Sequence, residues 1–320
     1  ELPEMNKTRQ FVNKIMEEIS DSGDIGIISG RHDEIIAFIE IEQRRTDIHN
    51  PEIYYNLGFL FFVIEEPFQS LQYYAKAVQL TQEEEIFRWH RNNILTILSR
   101  CSKLKGYSWI ERYLLISSYS KNFDPSATSK IAAVSTKGES IEPPVTIISG
   151  GCDKTVEENI QKYRDILYNG FSSYRGTIIS GGTSAGIAGL TGDLQIIYPE
   201  SIWTIGYLPA IIPTVENVDF RYRTLIRTEG QEFSPREPLQ SWTDILSSGI
   251  RPDTVKLLGI NGGRISACEY RIALSLGAEV GAIRGSGREA DNLLNDSLWN
   301  MSKNLTSIEK SSIEVKNFIL

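Results

Sequence analysis

The spacing of hydrophobic residues changes part-way along this chain of 320 residues. From residue 6 to about 119, apolar residues recur every three or four positions, as at Phe11, Ile15 and Ile19, which predicts one helix after another. After residue 144, short apolar runs alternate with helical segments. The residues between, 121–143, mix Ser, Gly and Pro. We therefore expect an all-helical domain over residues 1–130 and an α/β domain over residues 131–320.

The α/β half alternates predicted strands with predicted helices. Strands are expected at residues 145–149, 177–180, 202–207, 255–259 and 280–284. Helices are expected at residues 156–170, from 184, near 243–247, at 266–276 and at 288–294. Nearly continuous apolar strands are typical of a sheet covered on both faces, so the pattern predicts a Rossmann-like, doubly wound parallel sheet. Ligands bind such sheets beyond the carboxyl ends of the strands.

One part of the helical half has a more specific pattern. Residues 54–61 read Tyr-x-x-Leu-Gly-x-x-Phe, and residues 70–77 follow with a small residue, an aromatic residue and an alanine. This order resembles one tetratricopeptide repeat, although Gln82 stands where the repeat usually has proline. A single repeat cannot bury its own face, so residues 32–46 and 85–104 are expected to stack beside it. The alternative is a helical bundle with a chance match; either is expected to act as a scaffold or an oligomerisation surface.

Glycine-rich breaks follow three of the predicted strands. They read Gly-Gly-Thr-Ser-Ala-Gly-Ile-Ala-Gly at residues 181–189, Ser-Gly-Gly at 149–151 and Arg-Gly-Ser-Gly-Arg at 284–288. A helix N-terminus placed there offers unpaired N–H groups and the positive end of the helix dipole, which favour a phosphate. The pattern predicts a nucleotide-shaped ligand. The alternatives are tight turns and, in the third break, a helix start capped by Ser286.

Further candidates come from charged and polar residues elsewhere in the α/β half. The cluster Arg221-Tyr222-Arg223 combines guanidinium groups suited to pyrophosphate with a ring that stacks on adenine. Glu269 is a candidate acceptor for ribose hydroxyls, with a catalytic base or a solvated helix residue as alternatives. The predicted nucleotide-binding residues are Gly150, Gly151, Gly181, Gly182, Thr183, Ser184, Gly186, Arg221, Tyr222, Arg223, Gly262, Gly263, Glu269, Gly285, Ser286, Gly287 and Arg288.

Composition restricts the partners of the chain. A formal net charge of −8 argues against general nucleic-acid binding, which needs a basic face, but permits a small anionic ligand. The cysteines Cys101, Cys152 and Cys268 are scattered and lie in no metal-ligand spacing, so we expect a cytoplasmic protein without a metal or a further cofactor. We find no signal peptide and no membrane span in the sequence. The chain begins with Glu1 rather than Met, which we interpret as trimming or a missing upstream segment.

These motifs together resemble the SLOG superfamily, in the branch shared with the N-terminal domain of TRPM channels and with bacterial immune receptors. The matching residues are Ile148–Gly151, the glycines of 182–189, Asn261–Gly263 with Glu269, and Gly285–Asp291. The resemblance covers residues 144–296 and implies a crevice that binds ADP-ribose or one of its cyclic isomers. It also implies a cytosolic, homo-oligomeric receptor of bacterial anti-phage defence, fused to or associated with an effector, rather than an enzyme.

A related branch of the superfamily supplies the alternative function. The LOG-type phosphoribohydrolases carry Pro-Gly-Gly-x-Gly-Thr-x-x-Glu, and here residues 261–269 read Asn-Gly-Gly-Arg-Ile-Ser-Ala-Cys-Glu. Glu269 is kept, whereas Ile265 replaces a glycine and is unsuited to a positive φ. The resemblance therefore implies a binding pocket descended from an enzyme, with a LOG-like nucleotide N-glycosidase using Glu269 as the alternative.

Two other functions fit the sequence less well. A dinucleotide oxidoreductase needs Gly-x-Gly-x-x-Gly, and the glycines at residues 182, 186 and 189 are spaced differently. A repeat-based adaptor with a relict sheet domain would explain the helical half but leaves the three glycine-rich breaks without a role.

Overall fold

The computed structural model describes residues 3–22, 30–45, 49–100, 104–136, 140–151, 154–212 and 217–320. The chain forms two compact units, Glu1–Pro125 and Ser126–Leu320. The division falls between residues 125 and 126, so the helix at 127–134 belongs whole to the second unit.

The first unit is helical, as predicted. Its described helices are α1 (Pro3–Ser22), α2 (His32–Gln43), α3 (Pro51–Val63), α4 (Pro67–Leu80), α5 (Glu84–Arg100) and α6 (Tyr107–Ser120). Helix α3 is buried on nearly every side, which makes it the centre of the unit. Its start is fixed by Asn50, whose side chain accepts a hydrogen bond of 2.9 Å from the Glu52 N–H, and by Pro51 at the first helical position.

Helices α3 and α4 pack closely because small residues lie at their contact. A Cβ built on Gly58 would lie 2.8 Å from the Tyr74 ring, so only glycine permits this approach. The Ser70 hydroxyl donates to the Gly58 carbonyl at 2.7 Å, and the rings of Phe61 and Tyr73 stack with centroids 5.2 Å apart. The contact explains the small residues of the repeat-like pattern. The assignment to a tetratricopeptide repeat stays a prediction.

The second unit is built on a parallel sheet. Its described strands are β1 (Val145–Gly150), β2 (Gly176–Ser180), β3 (Ile202–Pro209), β4 (Thr224–Thr228), β5 (Val255–Ile260), β6 (Glu279–Ile283) and β7 (Leu305–Ile308). The helices that accompany them are α7 (Ala127–Val134), α8 (Lys154–Gly170), α9 (Gly186–Ile197), α10 (Arg236–Ser247), α11 (Arg264–Leu276), α12 (Arg288–Asn295) and α13 (Ser312–Ile319). The predicted Rossmann-like sheet is confirmed, with two edge strands and the helices α7 and α13 that the sequence did not predict.

The strand order is β4-β3-β2-β1-β5-β6-β7, and every pairing is parallel. The chain proceeds from β1 outward to β4 and then crosses to β5 on the other side of β1. The crevice beyond the carboxyl ends of β1 and β5 is therefore the switch point at which such sheets bind ligands. We call it the switch-point crevice.

A hydrophobic core joins one face of the sheet to α8, α9 and α13. It includes Ile148 and Leu258 of the central strands, Leu167 of α8, Leu194 of α9 and Val315 of α13, all at most 1% exposed. Helices α10 and α11 pack on β3 and β5 outside this cluster. Coverage of both faces accounts for the apolar strands on which the prediction rested. Across the described residues of the whole chain, no helix has both the length and the apolar character that a membrane span requires.

Candidate functional site

The end of β1 joins the two elements that flank the switch-point crevice. The Gly151 N–H donates to the Ile260 carbonyl at the end of β5, at 3.3 Å, and the Gly151 carbonyl accepts from the Ile187 N–H in the first turn of α9, at 3.1 Å. Gly150 fits between the same two residues, since a Cβ there would lie 2.5 Å from the Ile260 oxygen. Internal packing thus already requires Gly150 to be glycine, whatever binds in the crevice.

The loop between β2 and α9 carries the predicted residues Gly181 to Gly186. Its backbone runs antiparallel to residues 217–219: the Ser184 N–H donates to the Asn217 carbonyl at 2.9 Å, and the Gly182 carbonyl accepts from the Asp219 N–H at 3.0 Å. Gly182 and Gly186 have positive φ angles of 70° and 66°. Within the described part of the chain, the N–H groups of Thr183, Ala185 and Gly186 bind no backbone acceptor. These donors, at the N-terminus of α9, suit an anion.

The N-terminus of α11 lies on the other side of β1. Gly262, with a φ of 91°, and Gly263 lead from β5 into the helix. A Cβ built on Gly263 would lie 3.2 Å from the guanidinium of Arg288, so the Arg288 side chain extends beside this helix start. A guanidinium next to the positive end of a helix dipole makes this corner of the crevice electropositive. Ile265, the departure from the LOG-type motif, is a residue of α11.

The turn between β6 and α12 differs from the prediction. The Asp291 carboxylate accepts from the Gly285 N–H at 2.6 Å and from the Gly287 N–H at 2.8 Å. Ser286 instead supports β5, because its hydroxyl accepts from the Asn261 N–H at 2.8 Å. The backbone donors of Gly285 and Gly287 are therefore satisfied inside the protein, and the turn contributes Arg288 to the crevice rather than a phosphate-binding backbone.

Two residues at this corner have unusual backbone conformations. Asn261 and Arg288 have positive φ angles of 61° and 50°, a region that residues other than glycine rarely adopt. The Asn261 amide donates to the Ser286 carbonyl at 2.9 Å, while its Oδ1 is buried without a hydrogen-bond partner among the described residues. Strained conformations of this kind gather at functional sites because the surrounding structure holds them in place.

Glu269 lies in the second turn of α11 and faces the end of β1. Burial raises its pKa from 4.5 to about 7, and a hydrogen bond with the Ser149 side chain opposes this rise. The neighbouring Tyr270 hydroxyl donates to the Ser149 carbonyl at 3.3 Å, which holds this turn of α11 against β1. A carboxyl group that titrates near neutral pH at a sheet edge is suited to proton transfer as well as to binding.

Two members of the basic cluster make internal contacts with the glycine-rich segment 181–189 and with α9. Arg221 donates to the Asp219 carboxylate at 2.7 Å and to the Gly189 carbonyl at 3.1 Å, and it forms a second ion pair with Asp193, in the second half of α9. Tyr222 is buried, and its hydroxyl donates to the Ala188 carbonyl at 2.7 Å. Both residues fasten the β3–β4 connection to α9, so these side-chain donors already have partners inside the protein.

Arg223 and Arg227, two more arginines of this region, lie at the edge strand β4, with β3 and β2 between it and β1. The Arg223 guanidinium sits 3.6 Å from the centroid of the Trp203 ring, at the amino-terminal end of β3. Arg227 belongs to the edge strand β4 and donates to the Pro209 carbonyl at 3.0 Å. A run of arginines in the sequence identifies positive charge but not the acceptor that each guanidinium finds.

The described cysteine and the potential metal ligands form no further binding site in the described part of the chain. Cys268 is fully buried in α11, while Cys101 and Cys152 lie outside the described residues. Over the described ranges, His, Cys, Asp and Glu nowhere gather in threes at metal-binding distance.

Comparisons with known proteins leave the family open. No family model and no curated protein sequence matches this chain. The molybdenum cofactor carrier protein of Chlamydomonas reinhardtii is similar in structure, with 17% identity and a TM-score of 0.40 over 54% of this chain and 94% of that one. A structural genomics target, TM1055, gives 17% identity and a TM-score of 0.40 over 55% of this chain and 97% of its own. Similarity this weak transfers no ligand to this chain.

Proposed function

We propose that the second unit binds a nucleotide in the switch-point crevice and acts as the receptor of an ADP-ribose-derived signal, a cyclic isomer included. The observation that carries this proposal is the meeting of two helix N-termini, those of α9 and α11, on either side of β1. Each is a site for one phosphate, and Arg288 beside the second adds a full positive charge. A pyrophosphate matches this pair of neighbouring anion sites better than a single phosphate does.

The remaining parts of such a ligand have partners in the same crevice. The N–H groups of Thr183, Ala185 and Gly186 are assigned to one phosphate, and the start of α11 with Arg288 to the other. Glu269 is assigned to the ribose hydroxyls, which its ionised form accepts. Since its pKa is about 7, a ribose that donates two hydrogen bonds favours the ionised form.

The biological role is proposed from the resemblance of the glycine motifs. On that basis the chain is a signal-sensing part of a bacterial anti-phage defence effector, in the cytoplasm, and its helical unit assembles copies of the chain or relays binding to an effector. A ligand shifts such a receptor only by its difference in affinity between two states.

Calorimetric titration of the full chain tests the binding. The panel is ADP-ribose, its cyclic isomers, NAD, AMP and cyclic dinucleotides, and each mixture is analysed afterwards by chromatography. Arg288→Gln is expected to weaken ADP-ribose binding by about tenfold or more, because it removes a charge-assisted contact. Arg284→Gln is the matched control, since the exposed Arg284 side chain contacts Ser307 instead. Equal affinities of these two variants would contradict the assignment, and no binding across the panel would favour an adaptor.

A second function is supported by Glu269 alone. A carboxyl with a pKa of about 7 beside the crevice suits a LOG-like N-glycosidase, in which water replaces the base at the ribose carbon and the departing base gains a proton. Chromatography of the same mixtures decides between the two functions. Intact ligand identifies a receptor, whereas free base with a ribose phosphate, lost in Glu269→Ala, identifies the enzyme.

A further inference from the structure

A separate cavity lies in the second unit, away from the switch-point crevice. Its volume is about 480 Å³, in the range of small-molecule sites. The floor is formed by Trp203, Ile205 and Tyr207, which alternate along β3 and therefore share one face of the sheet. Helices α7 and α10 and residues 140–142 form the sides. None of the seventeen predicted nucleotide-binding residues lines this cavity among the described residues, so it is a distinct site.

The polar side of the cavity is organised by Asp244 of α10. Its buried carboxylate accepts from the Thr136 N–H at 2.7 Å, from the Thr136 hydroxyl at 2.5 Å and from the Tyr207 hydroxyl at 2.9 Å. Gln240 adds a fourth donor at 3.0 Å. These bonds use the hydroxyl hydrogens of Thr136 and Tyr207, so the oxygens of both hydroxyls act only as acceptors toward any further partner.

Three other hydroxyls of the lining also donate to internal acceptors. Thr177 donates to the Glu142 carbonyl at 2.7 Å, and Ser247 and Ser248 donate to the Asp244 carbonyl at 3.0 and 2.9 Å. The Ser248 oxygen in turn accepts from the Ile141 N–H at 3.2 Å. The part of the wall formed by these residues favours a hydrogen-bond donor over an acceptor, because an acceptor placed against it stays unpaired.

The charges of the lining have one sign. Among its described residues the formal charges are those of Asp244 and Glu142, both carboxylates. Arg223 is not a lining residue, and its guanidinium is held over the Trp203 ring. The two carboxylates of the lining favour a cation over an anion such as a nucleotide.

We propose that this cavity binds an organic ammonium ion, a small molecule with a protonated amine and an apolar ring. The ammonium hydrogens donate to the oxygens of Thr136, Tyr207 and Thr177, close to the Asp244 carboxylate. The ring packs on Trp203, Ile205 and Ile226, which form the apolar wall of the cavity. This site takes a ligand of opposite charge to the nucleotide proposed above, and it stands whether or not that nucleotide binds.

Three probes of one shape test the charge preference. They are 2-phenylethylammonium, 2-phenylethanol and 3-phenylpropionate, titrated into the full chain by calorimetry. The ammonium is expected to bind about tenfold or more tightly than the alcohol, and the carboxylate is expected not to bind. Equal binding of the three probes, or no ammonium binding up to about 10 mM, would overturn the proposal.

Variants place the probe in this cavity rather than elsewhere. Ile226→Trp fills the space beside β3 and is expected to abolish ammonium binding. Glu142→Gln removes one exposed carboxylate of the lining and should weaken binding by about threefold, while the equally exposed Glu200→Gln, which lies outside the lining, should leave it unchanged. Circular dichroism confirms that each variant is folded. Ammonium binding that survives Ile226→Trp, or that Glu200→Gln weakens as much as Glu142→Gln does, would show that the cavity is not the site.

Discussion

Two glycine-rich turns at the same sheet edge differ in what they offer a ligand. In the β2–α9 loop, the N–H groups of Thr183, Ala185 and Gly186 bind no backbone acceptor in the described part of the chain. In the β6–α12 turn, by contrast, Asp291 holds the N–H groups of both glycines. Both turns follow a strand and open a helix, so the glycine pattern alone does not separate them. A carboxylate placed four residues beyond Gly287 decides that the second turn is closed to an anion.

The largest expected effect concerns two glycines, Gly181 of the β2–α9 loop and Gly189 of α9. A Cβ on Gly189 would lie 2.3 Å from the Ser184 carbonyl oxygen, whereas one on Gly181 would have its nearest neighbour at 3.7 Å. Gly189→Ala is expected to lower the free energy of unfolding by about 2–3 kcal/mol, because the loop must move away from α9. Gly181→Ala should change it by about 0.5 kcal/mol or less. Urea unfolding of the two variants measures this, and equal losses would show that the loop is not packed as described.

The second prediction concerns the Asp291 carboxylate, which binds the glycine N–H groups of the β6–α12 turn. Asp291→Ala removes the acceptor of both glycine N–H groups and is expected to cost about 1–2 kcal/mol of unfolding free energy. The matched control is Glu289→Ala, which removes a carboxylate from the same first turn of α12, one that contacts Arg271 and Asn292 instead of the glycine N–H groups. If Asp291→Ala leaves stability unchanged while strengthening ADP-ribose binding, the turn is a latent phosphate site and the contrast between the two turns fails.

The third prediction concerns pH. The raised pKa of Glu269 means that the folded protein favours the protonated carboxyl, so this contribution to stability is fully present below pH 4.5 and is lost as the pH rises through about 7. The full shift corresponds to about 3 kcal/mol, and solvent screening of this largely buried but partly accessible side chain reduces the expected effect to about 1 kcal/mol. Glu269→Gln should flatten the stability of the chain between pH 5 and pH 8 in urea unfolding. An unchanged slope would place the titrating group elsewhere.

The smallest expected effect is that of Arg223→Gln. Its guanidinium lies over Trp203 at the amino-terminal end of β3, so the affinity for ADP-ribose should change by less than about twofold. Arg288→Gln, measured beside it, should have a much larger effect. A comparable loss of ADP-ribose affinity in both variants would show that the β3–β4 connection is part of the binding site.

The central strands were predictable from the sequence, whereas the edge strands were not. Strands β1, β2 and β5 are buried on both faces and read as apolar runs. Strands β4 and β7 lie at the two edges and are half-exposed. Thr224–Thr228 and Leu305–Ile308 therefore contain polar residues, which interrupt the apolar run by which a strand is predicted. Burial on a single face leaves too weak a signal in strands this short.

The candidate site was predictable in its position but not in its detail. Strand-to-glycine breaks located the crevice because the carboxyl ends of parallel strands share one edge. Whether a given backbone N–H already has an acceptor inside the protein depends on tertiary contacts, such as those of Asp291 with Gly285 and of Asn217 with Ser184. The pKa of Glu269 likewise depends on burial against β1, which a sequence does not display.

Amide hydrogen exchange with and without ADP-ribose tests the contrast between the two turns most directly. We expect slower exchange at Thr183, Ala185 and Gly186 and in the first turn of α11 when the ligand is present. No change is expected at Ser184, whose N–H already binds Asn217, or at Gly285 and Gly287, whose N–H groups already bind Asp291. Protection confined to Gly285–Gly287, or no protection at either helix start from a ligand that binds, would contradict the contrast between the two turns.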